Sequence, residues 1–516
     1  MSLRTSSQNR IFFRLIYFLP WLFTAQLFFN SSFENIVASA FCCLVYAVLT
    51  RYFFWENARG SVYSEYPVSS LVLLNLNFGL TIGPFFLSTL FFKPVVINLN
   101  YPIESFSWAL LICFLSVLSH YLYRKVSFFN QSFFLRKVFF KFNLYENKVF
   151  DLSIISLISI SMLFFFNDPS SSIEKKTLMS PYIGLLFPLS GIVAAIPFNF
   201  KKNEQRLNRV LGYSSFFLVF FLLLLYVLIF SRRVPIFFFL FSFVFYFFHS
   251  KNSFNLKSLL IFLKKNPLLG FFLLGSFVFS VSIFYGALKL ASLTRHEFKG
   301  LSPSEKIKES IKSFKNLEDY ELNRDAQNEG KIYLFQDDAT IGRLLTINRV
   351  DDFLLYYKNI PTSLEDDVLA KARNCTLRSL IPVIFFSNRE AKGDCRSLYG
   401  TVGDLFFASA TGGGLSAFRF TPYWFQEVII FGFLYILVWV LLQIFSFSFL
   451  DAFYLREKDR SVIFSPFLVS GFLFSFFSFY VHLERIRDFF ITIPVYFLLY
   501  VLFMKIIRFF RIHQTR

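Results

Sequence analysis

The chain has 516 residues, of which 55% are hydrophobic, 16% charged and 81 are Phe, with a formal net charge of +19 and a mean hydropathy of +0.54. Soluble globular chains carry about 25% charged residues, so this composition excludes a water-soluble enzyme. Apolar runs of helical length recur along nearly the whole sequence, which excludes disordered and fibrous classes. What remains is an all-α polytopic integral membrane protein, because a backbone crossing lipid satisfies its own hydrogen bonds as helix.

Twelve spans are predicted in chain order, at roughly 11–29, 36–54, 69–92, 106–123, 151–166, 178–199, 211–230, 234–249, 267–292, 424–449, 463–481 and 488–509. The first is not a cleavable signal peptide: it carries Arg14 and Pro20, has no small-residue cleavage site and is followed by further spans. With the N-terminus in the cytoplasm, 26 Lys and Arg fall on the cytoplasmic side. The short loops opposite hold seven: Lys93, Lys175, Lys176, Arg232, Arg233, Arg485 and Arg487. That asymmetry places both termini in the cytoplasm. It also makes the basic charge a matter of topology, with no nucleic-acid partner implied.

The plan is thus three regions: residues 1–292 with about nine spans, a polar segment 293–423 outside the cytoplasm, and residues 424–516 with about three spans. Within the polar segment, Ser302-Pro303-Ser304-Glu305 has the form of a capping box with Pro at the first helical position, predicting a helix through Tyr320. Further helices are predicted from Val350 to Lys358 and from Leu364 to Arg373. Gly393, Gly400, Gly403 and Gly412-Gly413-Gly414 mark a looser second half. No repeat at a fixed period is present, which argues against a carrier built from duplicated halves.

Cys42, Cys43 and Cys113 fall within spans as apolar filler. Cys375 and Cys395 are the two cysteines of the polar segment. In an oxidising compartment they would close a loop of about 20 residues, worth roughly 3 kcal/mol. The five His (His120, His249, His296, His482, His513) are dispersed and no Cys or His pair has ligand spacing, so no metal is expected. No P-loop or dinucleotide fingerprint occurs, and no cofactor is expected.

Charge at a membrane boundary points to chemistry. Ser231-Arg232-Arg233-Val234-Pro235 forms a tight external hairpin between two apolar spans. Its arginines read either as snorkelling anchors or as a guanidinium clamp for phosphate, which Arg binds in a planar, bidentate way. Glu484-Arg485-Ile486-Arg487-Asp488 is self-neutralising. In the polar segment stand Arg295, His296 and Glu297; Arg343 and Arg349 beside Asp351 and Asp352; Arg389, Lys392, Asp394 and Arg396; then Arg419, with Gln426-Glu427 opening the span that follows. Each alone fits a solvated or salt-bridged surface. As a set, basic groups with several carboxylates suit a reaction on a lipid-linked phosphate: arginines neutralise departing pyrophosphate, and one carboxylate takes a proton from an attacking hydroxyl.

Four segments carry a resemblance, in the order 230–241, 346–361, 379–392 and 421–436. The Ser231-Arg232 step opens a late span. The Asn348-Arg349 helix lies within the loop, and Ile381-Pro382 precedes Arg389 and Lys392. Glu427 precedes Phe431-Gly432 at the return into the membrane. Together with the hydropathy plan, these segments resemble the bacterial O-antigen and exopolysaccharide repeat-unit polymerases (Wzy-type). Three departures accompany the likeness: Val383 where the family has Arg, Ser387 and Glu390 in place of two prolines, and Gln426 rather than Glu427 at the usual acid's distance from Phe431-Gly432.

The resemblance implies a multi-span glycosyltransferase of the bacterial inner membrane with a periplasmic loop. Its substrates would be undecaprenyl-pyrophosphate-linked glycans amid membrane lipids, with chain-length regulator and flippase proteins as partners. It implies pyrophosphate contacts from Arg232, Arg233, Arg349 and Arg389, and a base among Asp351, Asp352 and Glu427. An O-antigen ligase would want a functional loop His, and only His296 is available. A flippase or other transporter would want ionisable groups within spans, where Asn75, Asn77 and His120 are the main polar features.

Overall fold

The computed structural model describes residues 16–55, 61–97, 99–145, 148–166, 186, 189–198, 206–230, 234–249, 305, 347–380, 402–411, 423–456, 462–473, 483, 486 and 488–514. The span expected at 267–292 lies outside them, as does the helix expected from Ser302 to Tyr320 apart from Glu305.

The described residues are mostly helical. In order come α1 (Leu19–Phe29), α2 (Phe33–Phe54), α3 (Pro67–Asn77), α4 (Gly83–Leu90), α5 (Pro102–Lys125), α6 (Ser132–Lys141), α7 (Val149–Phe166), α8 (Arg206–Phe230) and α9 (Val234–His249). There follow α10 (Ile347–Lys358), α11 (Thr362–Ser379), α12 (Val402–Thr411), α13 (Tyr423–Phe431), α14 (Tyr435–Leu450) and α15 (Ile493–Gln514). Six helices among the described residues are long and apolar enough to cross a membrane: Phe33–Phe54, Pro67–Leu90, Pro102–Lys125, Val210–Val227, Tyr435–Phe453 and Phe489–Ile507.

Local chemistry sets several helix ends. Ser32 caps α2 by accepting the Asn35 N–H at 3.3 Å. Pro67 and Pro102 open α3 and α5, where their missing N–H costs nothing. The 67–90 helix is interrupted by a π-helical turn, Phe78–Ile82. Pro84 has no N–H to continue the regular ladder, and the Gly83 N–H reaches back five residues to the Phe78 carbonyl. A Cβ on Gly83 would sit 2.7 Å from that same oxygen, so only glycine allows the turn.

Three expected spans differ in the structure. The 424–449 run is two helices, α13 and α14, because Gly432 takes φ +78° and ends α13 with its N–H on the Val428 carbonyl at 2.8 Å. The 463–481 run begins in a strand: β1 (Tyr454–Arg456) pairs antiparallel with β2 (Val462–Phe464), Leu455 opposite Ile463. Pro466–Leu468 and a π-helical turn at Val469–Leu473 follow. In the 178–199 run, residues Ile192–Phe198 form a 3-10 helix containing Pro197.

The chain divides into two compact units. The first comprises Met1–Leu135, Lys331–Ala452 and Phe476–Val495. There α5 packs against α2 and α14, and its core includes Ala38, Cys42, Phe106, Ala109, Ile112 and Trp439. The described helices of the polar segment belong to this unit, with Ile347, Val350, Phe353 and Phe406 in the same core. The second comprises Arg136–Gly330, Phe453–Ser475 and Tyr496–Arg516. Its α7 and α8 pack together, and the buried Ser465 hydroxyl donates to the Leu144 carbonyl at 2.7 Å.

Candidate functional site

The amphipathic sequence of α10 places Ile347, Val350, Phe353 and Leu354 on a buried face. Phe353 meets Phe406 of α12 at 4.6 Å and Phe425 of α13 at 5.7 Å. Trp108 of α5 lies against Phe425 at 4.8 Å. This aromatic cluster seats the polar segment at the N-terminal end of α5.

Asp351 shares the buried face and is 1% exposed. One carboxylate oxygen accepts the Asn100 N–H at 2.7 Å and the Asn100 side-chain amide at 3.0 Å. The other accepts the Tyr101 N–H at 2.7 Å and the Ser105 hydroxyl at 3.2 Å. Tyr101 is the N-cap residue of α5 and makes no side-chain cap of its own. Asp351 therefore binds the entry to α5 from a distant part of the chain, accepting the N–H groups of the N-cap residue and the one before it at the helix end whose dipole favours an anion. Its neighbour Asp352 is turned about 100° around the helix. Asp352 is exposed, while Arg349, three residues before it and half-buried, shares its face.

Lys358 pairs with Glu104 at 2.5 Å and stands over the Tyr101 ring at 4.1 Å. Tyr357 donates to Glu365 of α11 at 2.8 Å. Burial, then the adjoining Glu365 carboxylate, pushes the Tyr357 phenol from its ordinary 10.0 up to about 12. A raised folded value means that the stabilisation is fully present below pH 10 and is lost as pH climbs through about 12. Alkaline unfolding followed by circular dichroism should therefore lose its step in that window in Tyr357→Phe. An unchanged profile would remove the phenol from the account.

Glu427 is also buried, 1% exposed. Its two oxygens accept the Leu483 N–H at 3.0 and 3.1 Å, and the Tyr435 hydroxyl donates to it as well. Glu427 thus ties α13 across the Gly432 break to α14 and to residue 483. Arg373 of α11 donates to the Ile430 carbonyl at 3.1 Å and fastens the same short helix.

Of the residues expected at the site, Arg349, Asp351, Asp352 and Glu427 lie in one unit. Arg232, Arg233 and Arg389 lie outside the described residues. Cys375 is disulfide-bonded, whereas Cys42, Cys43 and Cys113 are free thiols; Cys395 lies outside the described residues. Among the described residues no group of three His, Cys, Asp or Glu stands together to hold a metal ion. A narrow apolar crevice beside the Gly432 break is lined by Ile112, Leu115, Val428, Ile436 and Trp439. No protein-family model, curated protein or solved structure matches the chain.

Sequence reading missed a second buried polar group at the opposite end of α5, around His120 and Asp451. The available signal was a lone acid closing the apolar run 435–450, at the same Arg- and Lys-flanked end as His120.

Proposed function

We propose that this chain polymerises lipid-linked oligosaccharide repeat units in the bacterial inner membrane. On this reading about twelve spans leave both termini in the cytoplasm and the 293–423 segment in the periplasm. The donor is a growing glycan on undecaprenyl pyrophosphate, and the acceptor is a single repeat unit on the same carrier. The acceptor's sugar hydroxyl attacks the donor's anomeric carbon and undecaprenyl pyrophosphate departs. Arg232, Arg233, Arg349 and Arg389 contact the pyrophosphate. Chain-length regulator and flippase proteins are its partners.

The ordered set of resembling segments carries this reading. The docking of α10 supports it, because Arg349 and Asp352 share the more open face of a helix seated on a membrane-length one. Asp351 and Glu427 are buried and Asp352 is exposed, so on this reading Asp352 is the carboxylate an acceptor hydroxyl can reach.

The test is deletion in the source bacterium with its surface glycan run on a silver-stained gel. Collapse of the ladder to core plus one repeat unit is expected. Loss of single units as well would favour a ligase or flippase, and an unchanged ladder would remove this glycan as substrate. Complementation with Arg232→Ala or Arg389→Ala should restore about one-hundredth of polymerisation or less, the usual scale for losing a transition-state charge partner. Full restoration by both would eliminate the clamp.

A further inference from the structure

Four side chains from four separate segments form a continuous hydrogen-bonded chain in the first unit. The Tyr52 hydroxyl of α2 lies 3.0 Å from Nδ1 of His120 in α5. Nε2 of His120 lies 3.0 Å from the hydroxyl of Ser69 in α3. The Ser69 hydroxyl lies 2.8 Å from Oδ2 of Asp451, which follows α14 directly, and the Ser69 N–H donates to Oδ1 at 3.3 Å. His120, Ser69 and Asp451 are all 0% exposed. Phe53, Tyr66, Tyr123 and Phe447 stand edge-on around the imidazole at 5.5, 6.0, 5.9 and 5.0 Å.

One end of the chain reaches water. Arg124 lies over the rings of Tyr52 and Tyr66 at 5.8 and 5.4 Å and pairs with Glu65 at 3.6 Å. The two side chains of that pair are 18% and 26% exposed. Among the described residues, the charged and titratable groups facing the chain are Tyr52 from α2, Glu65 and Tyr66 from the segment before α3, Tyr123 and Arg124 from α5, and Asp451. Tyr121 adjoins Tyr52 and carries Lys125 over its ring at 5.9 Å.

A buried carboxylate is costly in low dielectric. Asp451 is the C-cap residue of α14, the helix end that disfavours an anion. The four-membered chain offers a route to neutrality that keeps each of its own three side-chain links. With Asp451 ionised, the bonds run Tyr52 O–H to Nδ1, Nε2–H to Ser69 Oγ, and Ser69 O–H to Oδ2. With Asp451 protonated, every bond reverses: Oδ2–H to Oγ, Oγ–H to Nε2, and Nδ1–H to the Tyr52 oxygen. The imidazole stays neutral and changes only its tautomer.

We propose that Tyr52, His120, Ser69 and Asp451 form a proton relay that loads one proton from the solvent-reached Glu65–Arg124 rim onto the buried Asp451 carboxylate. The Tyr52 proton passes to Nδ1, the Nε2 proton to Oγ, and the Oγ proton to Oδ2. Solvent at the rim then restores the tyrosine proton. The balance is one proton taken up and one buried negative charge removed, and the same hops run backwards on alkalinisation. This proton site is independent of glycan polymerisation.

The test is time-resolved infrared difference spectroscopy after a pH jump, on the full-length protein in lipid nanodiscs. Acidification of wild type should produce the carbonyl stretch of a protonated carboxylic acid, absent from Asp451→Asn. Tyr52→Phe keeps the ring and Ser69→Ala keeps the fold's small side chain, and each interrupts the relay. Both should slow the rise of that band by about tenfold or more, the scale of one lost hydrogen-bonded step. A wild type without the band, its survival in Asp451→Asn, or a wild-type rate in both relay variants would overturn the proposal.

Discussion

Asp351→Ala should be among the most damaging single substitutions in the described part of the chain, lowering stability by about 3–5 kcal/mol. Its removal strands the Asn100 and Tyr101 N–H groups at the start of α5, together with the Asn100 amide and the Ser105 hydroxyl. Each buried donor left without a partner costs about 1–3 kcal/mol. Asp351→Asn should be nearly as harmful, because its amide turns an NH₂ toward donors. Lys358→Ala provides the contrast. That ion pair joins the same two elements, but its side chains are 36% and 48% exposed, so screening limits its loss to less than about 1 kcal/mol. Thermal unfolding in detergent and limited proteolysis of the polar segment measure both. An Asp351→Asn protein with wild-type stability and no polymerisation would return Asp351 to the role of base.

Glu427→Ala should cost about 3 kcal/mol, through the orphaned Leu483 N–H and Tyr435 hydroxyl and the loss of a charged acceptor. Tyr435→Phe removes one donor and should cost about 1–2 kcal/mol. Because the two groups touch, the double variant should fall short of the sum by about 1 kcal/mol or more. Additive losses, or a stable Glu427→Ala protein that fails only in activity, would show that Glu427 does not act as the tie across the Gly432 break.

Much of the membrane-embedded plan was legible because it rests on local composition. The spans expected at 36–54, 69–92 and 106–123 match Phe33–Phe54, Pro67–Leu90 and Pro102–Lys125. The loop helix expected from Val350 to Lys358 is present from Ile347. The helix expected from Leu364 to Arg373 runs from Thr362 to Ser379. The break at Gly432 was hidden because hydropathy does not register φ, and apolar residues continue on both sides of it. The β hairpin was hidden because Tyr454–Arg456 and Val462–Phe464 are too short for their period to separate strand from helix.

At the candidate site, residue type was readable and partnership was not. Asp351 and Asp352 look equivalent in sequence, yet the quarter-turn between them sends one to the helix end and the other outward. Glu427 was read at the return into the membrane; in the structure its contacts, to Tyr435 and residue 483, belong to a structural tie. Ser69 and Asp451 are 382 residues apart, a separation over which no spacing rule operates.

The hold of Asp351 on the entry to α5 also has a consequence in time. Donor and acceptor are separated by 251 residues, and chains are synthesised at roughly 5–20 residues per second. The entry to α5 at Asn100 and Tyr101 therefore waits on the order of 10–50 seconds before its carboxylate exists. During that interval those N–H groups have water as their alternative partner. Folding of this protein thus has a built-in order: the early helices form with an open entry to α5, and the later polar segment closes it.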